Sequence, residues 1–546
     1  MEIDIRQQSI LIHSLMHPNA FDHPVAEIKL IETHISWVIL TGNYAYKIKK
    51  ACNLGFLDFS SLEKRRHFCD EELRLNRRLA ASLYIEVIPI SGKPEQPALR
   101  GNGEIIEYAV KMIQFPQQAQ LDNMLAHGKV RNHHIDAYAQ MTASFHCNAK
   151  SSPNETAFGN PDHVYHAVAQ TIGQIRQLPE TAHYSPLISE LEDWCKSAFK
   201  TLTPLFAERK RGGFIRECHG DMHLRNLVWF DERPLAFDCL EFDPDLRWID
   251  ILSEVAFLVM YLDSRKQQKL AYRFLNAYLE HTGDYGGMPV FRFYLVYRAL
   301  VRAMVEGIRS EQSDISTAEQ KTAAKAFRNY LKLAQSYCQS VMPVLIITHG
   351  LSASGKSTLS QLLLEQIGAL RIRSDIERKR IFGLLGGINK KPIMHDGAHS
   401  PGNMQQIYSL AANIRTYATL ATLAEKVLEG RFTVIIDAVF LLYEERENFK
   451  NLAHTKQIPF ITLIFTARSN TLRKRIQERK NDISDADLAV LEAQLKALKP
   501  LQNAELPYCI TIDTEQPFDV RKLASDIRRI SSALSDQNGS NRTSSH

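Results

Sequence analysis

The nine residues GLSASGKST, from Gly350 to Thr358, constrain the fold of this chain more than any other stretch. They match G-x-x-x-x-G-K-[ST], follow the apolar run VLIITHG and open the helical pattern STLSQLLLEQI. This is the strand–loop–helix context that a phosphate loop requires. Glycines let backbone N–H groups close around phosphate oxygens, and the start of the helix adds partial positive charge. The stretch therefore predicts a nucleotide phosphate loop.

Within this loop, we expect Lys356 to reach the β- and γ-phosphates of ATP and the Ser357 hydroxyl to bind Mg²⁺. Asp437 ends the apolar strand FTVIID and is a further candidate ligand for this Mg²⁺. ATP and Mg²⁺ are therefore the expected cofactors. The predicted nucleotide-binding residues of the loop are Gly350, Ser352, Ser354, Gly355, Lys356, Ser357 and Thr358.

Three further residues are candidates for the chemistry of this half. Asp375 follows the next predicted strand, where ligands bind in open α/β sheets, and its carboxylate can accept a proton from an attacking hydroxyl. Arg475 and Arg479 lie four apart on one face of a predicted helix, either as a lid over the transferring phosphate or as part of an ordinary charged helix. Basic residues around Asp375 indicate either an anionic substrate or a solvated helix face: Arg373, Arg378, Lys379 and Arg380.

From Val344 to Ile530 the chain resembles the small P-loop kinases of the zeta-toxin and gluconate-kinase type. The resemblance rests on the phosphate loop, the acidic residue after the second strand, the VIIDA-x-F strand and the arginine-bearing lid. Val439 stands where that family has a small polar residue. The resemblance implies a kinase for small hydroxyl compounds or nucleotide sugars.

The stretch CHGDMHLRN, in the N-terminal half, allows two interpretations. His219, Asp221 and His223 alternate like metal ligands on an extended strand. The same stretch reads as H-x-D-x-x-x-x-N, in which the Asp orients a substrate hydroxyl and the Asn binds metal. Asp221 and Asn226 have the spacing that this second interpretation needs.

A phosphoryl-transfer site needs another metal ligand after the catalytic loop. Asp238 ends the apolar run RPLAFD, close enough in sequence for a short hairpin to bring it to Asp221. Glu241 and Asp243 are weaker rivals because they lie beyond that run. Since no further ligand motif supports the metal-site alternative, we favour a kinase catalytic loop. Asp221 is then the catalytic residue, Asn226 and Asp238 bind metal, and the histidines are framework.

The same chemistry requires a lysine on an early strand, paired with a glutamate on the following helix. The strand NYAYKIKK offers Lys47, and the helix CDEELRLNRRL offers Glu72 in register with its apolar positions. Lys49 and Glu71 are the alternatives. Lys47 and Glu72 are our candidates for nucleotide binding.

The residues HGDMHLRN…FD resemble the aminoglycoside phosphotransferase family, whose fold is protein-kinase-like. In order, the two halves resemble a bacterial architecture that joins such a domain to a P-loop ATP-binding kinase domain. The expected fold is thus an α+β protein-kinase-like N-terminal domain, with a small β-rich lobe and a helical lobe, followed by an α/β P-loop domain with a parallel sheet. The expected domains are 1–342 and 343–530, with 531–546 as a disordered tail.

Bulk composition excludes several other classes. The net charge of +5 over 546 residues does not indicate nucleic-acid or membrane partners. Eight cysteines without a C-x-x-C pair indicate free thiols in a cytoplasmic protein. The most apolar run, ILSEVAFLVMYL, is too short to span a bilayer and is predicted to be a buried helix.

The sequence therefore predicts an ATP-dependent phosphotransferase with two nucleotide sites that acts on small hydroxylated molecules. The alternative is that one domain is a regulatory ATPase or a pseudokinase binding module that controls the other.

Overall fold

The computed structural model describes residues 4–25, 27–55, 57–313, 315–339, 341–388, 409–478 and 487–540. The chain forms two compact units, each built from separate stretches. The first unit comprises Met1–Met141, Asn148–Gly159 and Gly213–Leu258, and the second comprises Thr142–Cys147, Asn160–Gly212 and Val259–His546. Helices that precede residue 342 thus pack with the C-terminal sheet, whereas the domain boundary at 342/343 stays a prediction from sequence.

Strands and helices are numbered here in chain order. The strands are β1 (Lys29–Glu32), β2 (Ser36–Leu40), β3 (Tyr44–Lys49), β4 (Tyr84–Lys93), β5 (Gln96–Leu99), β6 (Ile105–Ile113), β7 (Ile215–Glu217), β8 (Leu227–Phe230), β9 (Arg233–Ala236), β10 (Trp248–Asp250), β11 (Leu345–His349), β12 (Leu370–Arg373), β13 (Val434–Asp437), β14 (Phe460–Thr466) and β15 (Cys509–Asp513). The helices are α1 (Ile5–Leu15), α2 (Leu62–Ala80), α3 (Leu121–Ala126), α4 (Asn132–Asn148), α5 (Pro161–Gln177), α6 (Ser185–Arg211), α7 (Pro244–Arg247), α8 (Ile251–Ser264), α9 (Gln268–Thr282), α10 (Met288–Ser310), α11 (Thr317–Cys338), α12 (Lys356–Ile367), α13 (Ser374–Ile381), α14 (Leu410–Glu429), α15 (Tyr443–Thr455), α16 (Ser469–Glu478), α17 (Leu488–Ala497) and α18 (Val520–Ser540).

A six-stranded antiparallel sheet of order β1-β2-β3-β6-β4-β5 lies in the first unit. β2 and β3 pair across the turn at Gly42, as the flanking β-branched and aromatic residues predict. The sheet packs against α1 through a core that includes Leu11, Ile39 and Ile48. Helix α2 follows β3 and is capped by Ser61, the residue before its first turn. The Ser61 hydroxyl accepts a hydrogen bond from the backbone N–H of Lys64. A small β-rich lobe with one long helix is the fold expected for a kinase-like domain.

The second unit contains a five-stranded parallel sheet of order β12-β13-β11-β14-β15. Its three middle strands are nearly continuous apolar runs that are buried on both faces, as in parallel sheets covered by helices. The central strand β11 leads into the phosphate loop, and α12 follows it. This confirms the predicted α/β P-loop fold. In the same unit α10 packs against α5, α6 and α11, and α9 packs against α12 and β12.

Two other predictions about segments can be checked directly. The run ILSEVAFLVMYL lies in α8 and is buried throughout, as predicted. None of the described helices is both long and apolar enough to traverse a bilayer. Helix α18 runs to Ser540 and so includes residues 531–540 of the segment expected to be a disordered tail, which stays a prediction from sequence. Residues 541–546 lie outside the described part of the chain.

Candidate active sites

The first candidate site lies in the first unit, where β3 faces α2. Lys47 and Lys49 are two residues apart on β3 and therefore point to the same face of the sheet. Lys47 Nζ lies 2.8 Å from Glu72 Oε1 and 2.6 Å from Asp238 Oδ1. Lys49 Nζ lies 2.8 Å from Glu72 Oε2 and also pairs with Glu241. Two lysines and three carboxylates thus form one charged network centred on Glu72.

Burial and charge act in opposite directions on this network. Burial alone would raise the pKa of Glu72, but Lys47 and Lys49 outweigh it and hold that pKa below its usual value. Burial likewise raises the pKa of half-exposed Asp238, but Lys47, with smaller contributions from His219 and Lys49, lowers that pKa below its usual value. Burial raises the pKa of Glu241 despite Lys49. Burial lowers the pKa of Lys47, yet its carboxylate partners raise that pKa well above the usual value. Lys47, Glu72 and Asp238 are therefore ionised together.

The sequence left two lysines and two glutamates open for this pair. In the structure Lys47 contacts Glu72, and Lys49 contacts the other oxygen of the same carboxylate. Glu71 points elsewhere, because its carboxylate accepts two hydrogen bonds of 2.9 Å from Arg74. Sequence reasoning missed the role of Glu241 as the second partner of Lys49, since nothing in the local pattern connects residues that are 192 positions apart.

The loop from His219 to Asn226 is organised by short-range hydrogen bonds. Asn226 Nδ2 donates to the backbone oxygen and to Oδ2 of Asp221, each at 3.0 Å. His219 Nδ1 accepts from the backbone N–H of Asp221 at 3.3 Å, and its Nε2 lies 2.9 Å from Phe237 O. His223 Nε2 lies 3.5 Å from Asp221 Oδ2. Among the described residues, His219, Asp221 and His223 do not form a group of three candidate metal ligands, and the framework role of the two histidines stays a prediction.

Gly220 gives this loop its turn. Its φ is +90°, and an added Cβ would lie 2.8 Å from Leu246 O. Its backbone N–H donates to Glu254 Oε1 at 2.7 Å. Asp250 lies directly before α8, and its carboxylate accepts a hydrogen bond of 2.9 Å from the backbone N–H of Leu252, as a helix cap does.

Asn226 and Asp238 fit a hard divalent cation. Carboxylate and amide oxygens are the donors that Mg²⁺ prefers. The backbone N–H of Phe237 donates to Asn226 O at 3.0 Å, so the residue that precedes Asp238 is bonded to the catalytic loop. Asp238 Oδ1 already accepts from a cationic group, Lys47. Asn226 and Asp238 would therefore hold the Mg²⁺ of the first unit, and Asp221, bonded to Asn226, stays the candidate for orienting the acceptor hydroxyl.

The second candidate site is the phosphate loop of the second unit. Gly355 precedes α12 with a φ of +88°, a left-handed conformation that favours glycine. The loop curls around the side chain of Lys356, whose Nζ donates to Gly350 O at 2.9 Å and to Leu351 O at 2.8 Å. Ser357 lies in the first turn of α12.

A cavity of about 880 Å³ opens beside this loop. Residues that the sequence predicted and that line it are Ser352, Ser354, Gly355, Lys356, Ser357, Thr358, Asp375, Asp437 and Arg475. Val439 lines it as well, and Arg479 lies outside the described residues. The sequence analysis missed other lining residues, because no motif marks them: Asn413, Tyr417, Gln494 and Thr514.

Asp437 fits a cation ligand in this cavity. Its Oδ2 is buried and makes no hydrogen bond within the described part of the chain. Arg373 is its partner in the β12–β13 register, and Arg373 Nε lies 3.7 Å from that oxygen. A buried carboxylate oxygen without a donor suits a metal ion. Asp437 and Ser357 would therefore hold the Mg²⁺ of the second unit.

Arg475 is anchored to the wall of the cavity. Its guanidinium donates to Thr514 Oγ1 and Thr514 O, each at 2.9 Å, and to Ala353 O at 3.3 Å. On the neighbouring helix α17, Gln494 Oε1 accepts from the backbone N–H of Ser352 at 2.8 Å. The last turn of α16 thus places a positive charge beside the phosphate loop.

The basic residues near Asp375 have different roles. Arg378 lines the cavity and donates to Asn413 Oδ1 at 2.7 Å. Arg380 instead donates to the backbone oxygen of Glu280 at 2.6 Å and pairs with Glu377. Arg378 therefore fits the substrate interpretation, and Arg380 is part of the packing between α9 and α13.

Comparison with known families agrees with this geometry. Residues 60–294 match the phosphotransferase enzyme family, and residues 345–501 match an AAA domain family. The chain joins a phosphotransferase domain to a P-loop domain. Both resemblances stated from the motifs are confirmed, and the two kinase-type domains support phosphotransfer as the general activity.

Other proteins are similar to this chain over all or part of its length. An uncharacterized protein of Mycobacterium tuberculosis is 28% identical over 499 residues, which is 91% of this chain and 94% of the relative. A gluconokinase structure from Sinorhizobium meliloti is 17% identical and covers 38% of this chain and 99% of its own, with a TM-score of 0.25. A choline/ethanolamine kinase family protein from Mesorhizobium loti is 11% identical and covers 60% of this chain and 99% of its own, with a TM-score of 0.36.

Proposed function

We propose that the protein is an ATP-dependent enzyme with two phosphotransferase sites, one in each unit. Each site would transfer the γ-phosphoryl group of ATP to a hydroxyl of a small molecule. One observation carries the proposal: each unit has its own phosphate lysine and its own metal carboxylate. These are Lys47 with Asp238 in the first unit, and Lys356 with Asp437 in the second.

In the first unit, Asp221 orients the acceptor hydroxyl and accepts its proton as the oxygen attacks. Lys47, held by Glu72, contacts the phosphates of ATP. Asn226 and Asp238 hold Mg²⁺, which when bound neutralises charge on the phosphate oxygens. Positioning and charge stabilisation supply most of the rate in such reactions, because the protein forms no covalent bond.

In the second unit, backbone N–H groups of the phosphate loop and Lys356 bind the phosphates. Ser357 and Asp437 hold the metal, and Asp375 receives the proton of the acceptor hydroxyl. Arg475 places positive charge where the phosphoryl group moves, and Arg479, four positions later in the sequence, is proposed to assist it. The acceptors are small hydroxylated molecules, and we propose a cytoplasmic location without nucleic-acid or membrane partners.

Separate substitutions of the full chain test this proposal. Asp221→Ala and Lys356→Ala are assayed for ATP turnover against a panel of hydroxylated metabolites and aminoglycosides. Each should lower one acceptor-dependent activity by about 10²- to 10⁴-fold and leave the other intact. Asp245→Ala, an exposed carboxylate near the same loop, is the matched control for Asp221→Ala and should retain both activities.

Each outcome bears on a specific part of the proposal. Unchanged activities in Asp221→Ala would refute the first site. Full nucleotide affinity and turnover in Lys356→Ala would refute the second. Loss of both activities from either single substitution would favour the alternative, in which one domain regulates the other.

A further inference from the structure

Helix α9 is fixed against the edge strand of the parallel sheet. Asn276 Nδ2 donates to Ala369 O at 3.0 Å, and its Oδ1 accepts from the backbone N–H of Arg371 at 2.7 Å. Tyr285, in the turn after α9, donates its hydroxyl to Arg371 O at 3.0 Å. Edge strands expose such backbone groups unless another element covers them. Here the side chains of α9 and the following turn take the place of a sixth strand.

One carboxylate on this helix binds two arginines of β12. Glu280 lies four residues after Asn276 and therefore on the same face of α9. Its Oε1 accepts from Arg371 Nη2 at 2.9 Å, and its Oε2 lies 3.9 Å from Arg373 Nη1. All three side chains are at most 16% exposed. We call Glu280, Arg371 and Arg373 the Glu280 clamp.

Each arginine of the Glu280 clamp reaches a different metal-ligand residue of the second site. Arg371 Nη1 donates to the backbone oxygen of Ser357 at 2.8 Å. Arg373 Nε lies 3.7 Å from the buried Oδ2 of Asp437. The Glu280 carboxylate is therefore connected to Ser357 through Arg371 and to Asp437 through Arg373.

We propose that Glu280 is a positioning residue for the metal of the P-loop site and acts through Arg371 and Arg373. This inference rests on the proposed function of the second unit. The negative charge of Glu280 offsets two guanidinium groups beside the metal ligands. Without it, their positive charge would repel a divalent cation, and Arg373 would compete with that cation for Asp437. Such effects are strong among partly buried charges, where water screens them poorly.

The position of Glu280 in the sequence gives this inference its functional meaning. Helix α9 falls within residues 60–294, which match the phosphotransferase family, whereas Ser357 and Asp437 fall within residues 345–501. A residue from one family segment thus sets metal affinity at the site of the other. Any shift of α9 relative to β12 would change the contact between Glu280 and Arg373 and thereby the charge beside Asp437.

Metal binding without turnover tests the inference. In full-length protein carrying Asp238→Ala, which removes the metal site of the first unit, Mn²⁺ binding in the presence of ADP is measured by electron paramagnetic resonance. Adding Glu280→Gln should raise the Mn²⁺ dissociation constant about five-fold, the effect of one charge near a divalent ion at high effective dielectric. Adding Arg373→Met alone to the Asp238→Ala parent should lower the Mn²⁺ dissociation constant. Adding Glu280→Gln and Arg373→Met together should restore most of the Mn²⁺ affinity that Glu280→Gln alone removes.

A matched control separates positioning from packing. Arg273 on α9 and Glu365 on α12 form an ion pair of 2.7 Å in the neighbouring contact between these two helices. Glu365→Gln therefore removes a buried-side carboxylate partner of the same helix α9 without touching β12. It should leave Mn²⁺ affinity unchanged, with thermal denaturation reporting any loss of stability in either variant. Unchanged affinity in Glu280→Gln, or an equal loss in Glu365→Gln, would overturn the inference. An Asp238→Ala parent that binds no Mn²⁺ with ADP would refute the metal site itself, and the Glu280 clamp with it.

Discussion

The two phosphate-handling lysines are held in opposite ways. Lys47 in the first unit depends on Glu72 and on Asp238, which is 191 positions away in the sequence. Lys356 in the second unit is held by backbone oxygens five and six positions away. The first lysine is positioned by tertiary folding and the second by one short loop. We infer that the contacts of the first site contribute to the folding stability of the first unit, whereas the second site is formed by local contacts of its own loop.

The largest expected effect follows from the buried charges of the first site. Glu72 is fully buried between two lysines, so Glu72→Gln leaves positive charge without its partner. Breaking a buried pair in this way should lower the free energy of unfolding by about 3–5 kcal/mol. Urea denaturation of the full chain measures it. The neighbouring Glu71→Gln is the matched control and should cost about 1 kcal/mol or less, because it removes a partly exposed pair with Arg74. Equal costs for the two variants would contradict the comparison.

Two glycines with nearly the same backbone conformation give a second, smaller test. Gly220 and Gly355 have φ values of +90° and +88°. An added Cβ at Gly220 would lie 2.8 Å from a backbone oxygen, whereas at Gly355 the closest atom would be Thr514 Cγ2 at 3.4 Å. Gly355→Ala should therefore cost only the conformational penalty of about 1–2 kcal/mol, and Gly220→Ala about 1–3 kcal/mol more because of overlap. Thermal denaturation that ranks them in the reverse order would show that the first loop is not tightly packed.

The smallest expected effect is a pH dependence of the first site. The pKa of Glu72 in the folded protein lies below its usual value, so its stabilising contribution is present above the unfolded pKa and is lost as pH falls. The stability difference between wild type and Glu72→Gln should thus shrink between about pH 6 and pH 3. Burial raises the pKa of Glu241, so the difference between wild type and Glu241→Gln should change in the opposite direction, with wild type losing stability relative to the variant as pH rises. If the stability differences of Glu72→Gln and Glu241→Gln from wild type changed in the same direction with pH, the opposite pKa shifts assigned to Glu72 and Glu241 would be wrong.

The same contrast explains how much the sequence could predict. The phosphate loop, Asp375 and Asp437 follow from contiguous motifs and from the rule that ligands meet at the ends of parallel strands. Glu72 could be preferred over Glu71 because the helical period separates their faces. The parallel sheet was predictable from the alternation of strands and helices, whereas the kinase-like fold was expected from the resemblance of HGDMHLRN…FD to a known family.

What the sequence did not show depends on contacts between distant segments. No local sequence pattern marks the ion pair between Lys49 and Glu241. The same holds for the hydrogen bonds between Asn276 and the backbone of the edge strand β12. Gln494, which binds the phosphate loop from another helix, carries no motif either.

The number of nucleotides bound per chain tests the central claim most directly. Calorimetric titration of the full chain with a non-hydrolysable ATP analogue and Mg²⁺ should give two nucleotides for the wild type. Lys47→Ala and Lys356→Ala should each bind one, and the double variant should bind none. A wild type that binds a single nucleotide, or one substitution that abolishes both binding events, would contradict two independent phosphate sites.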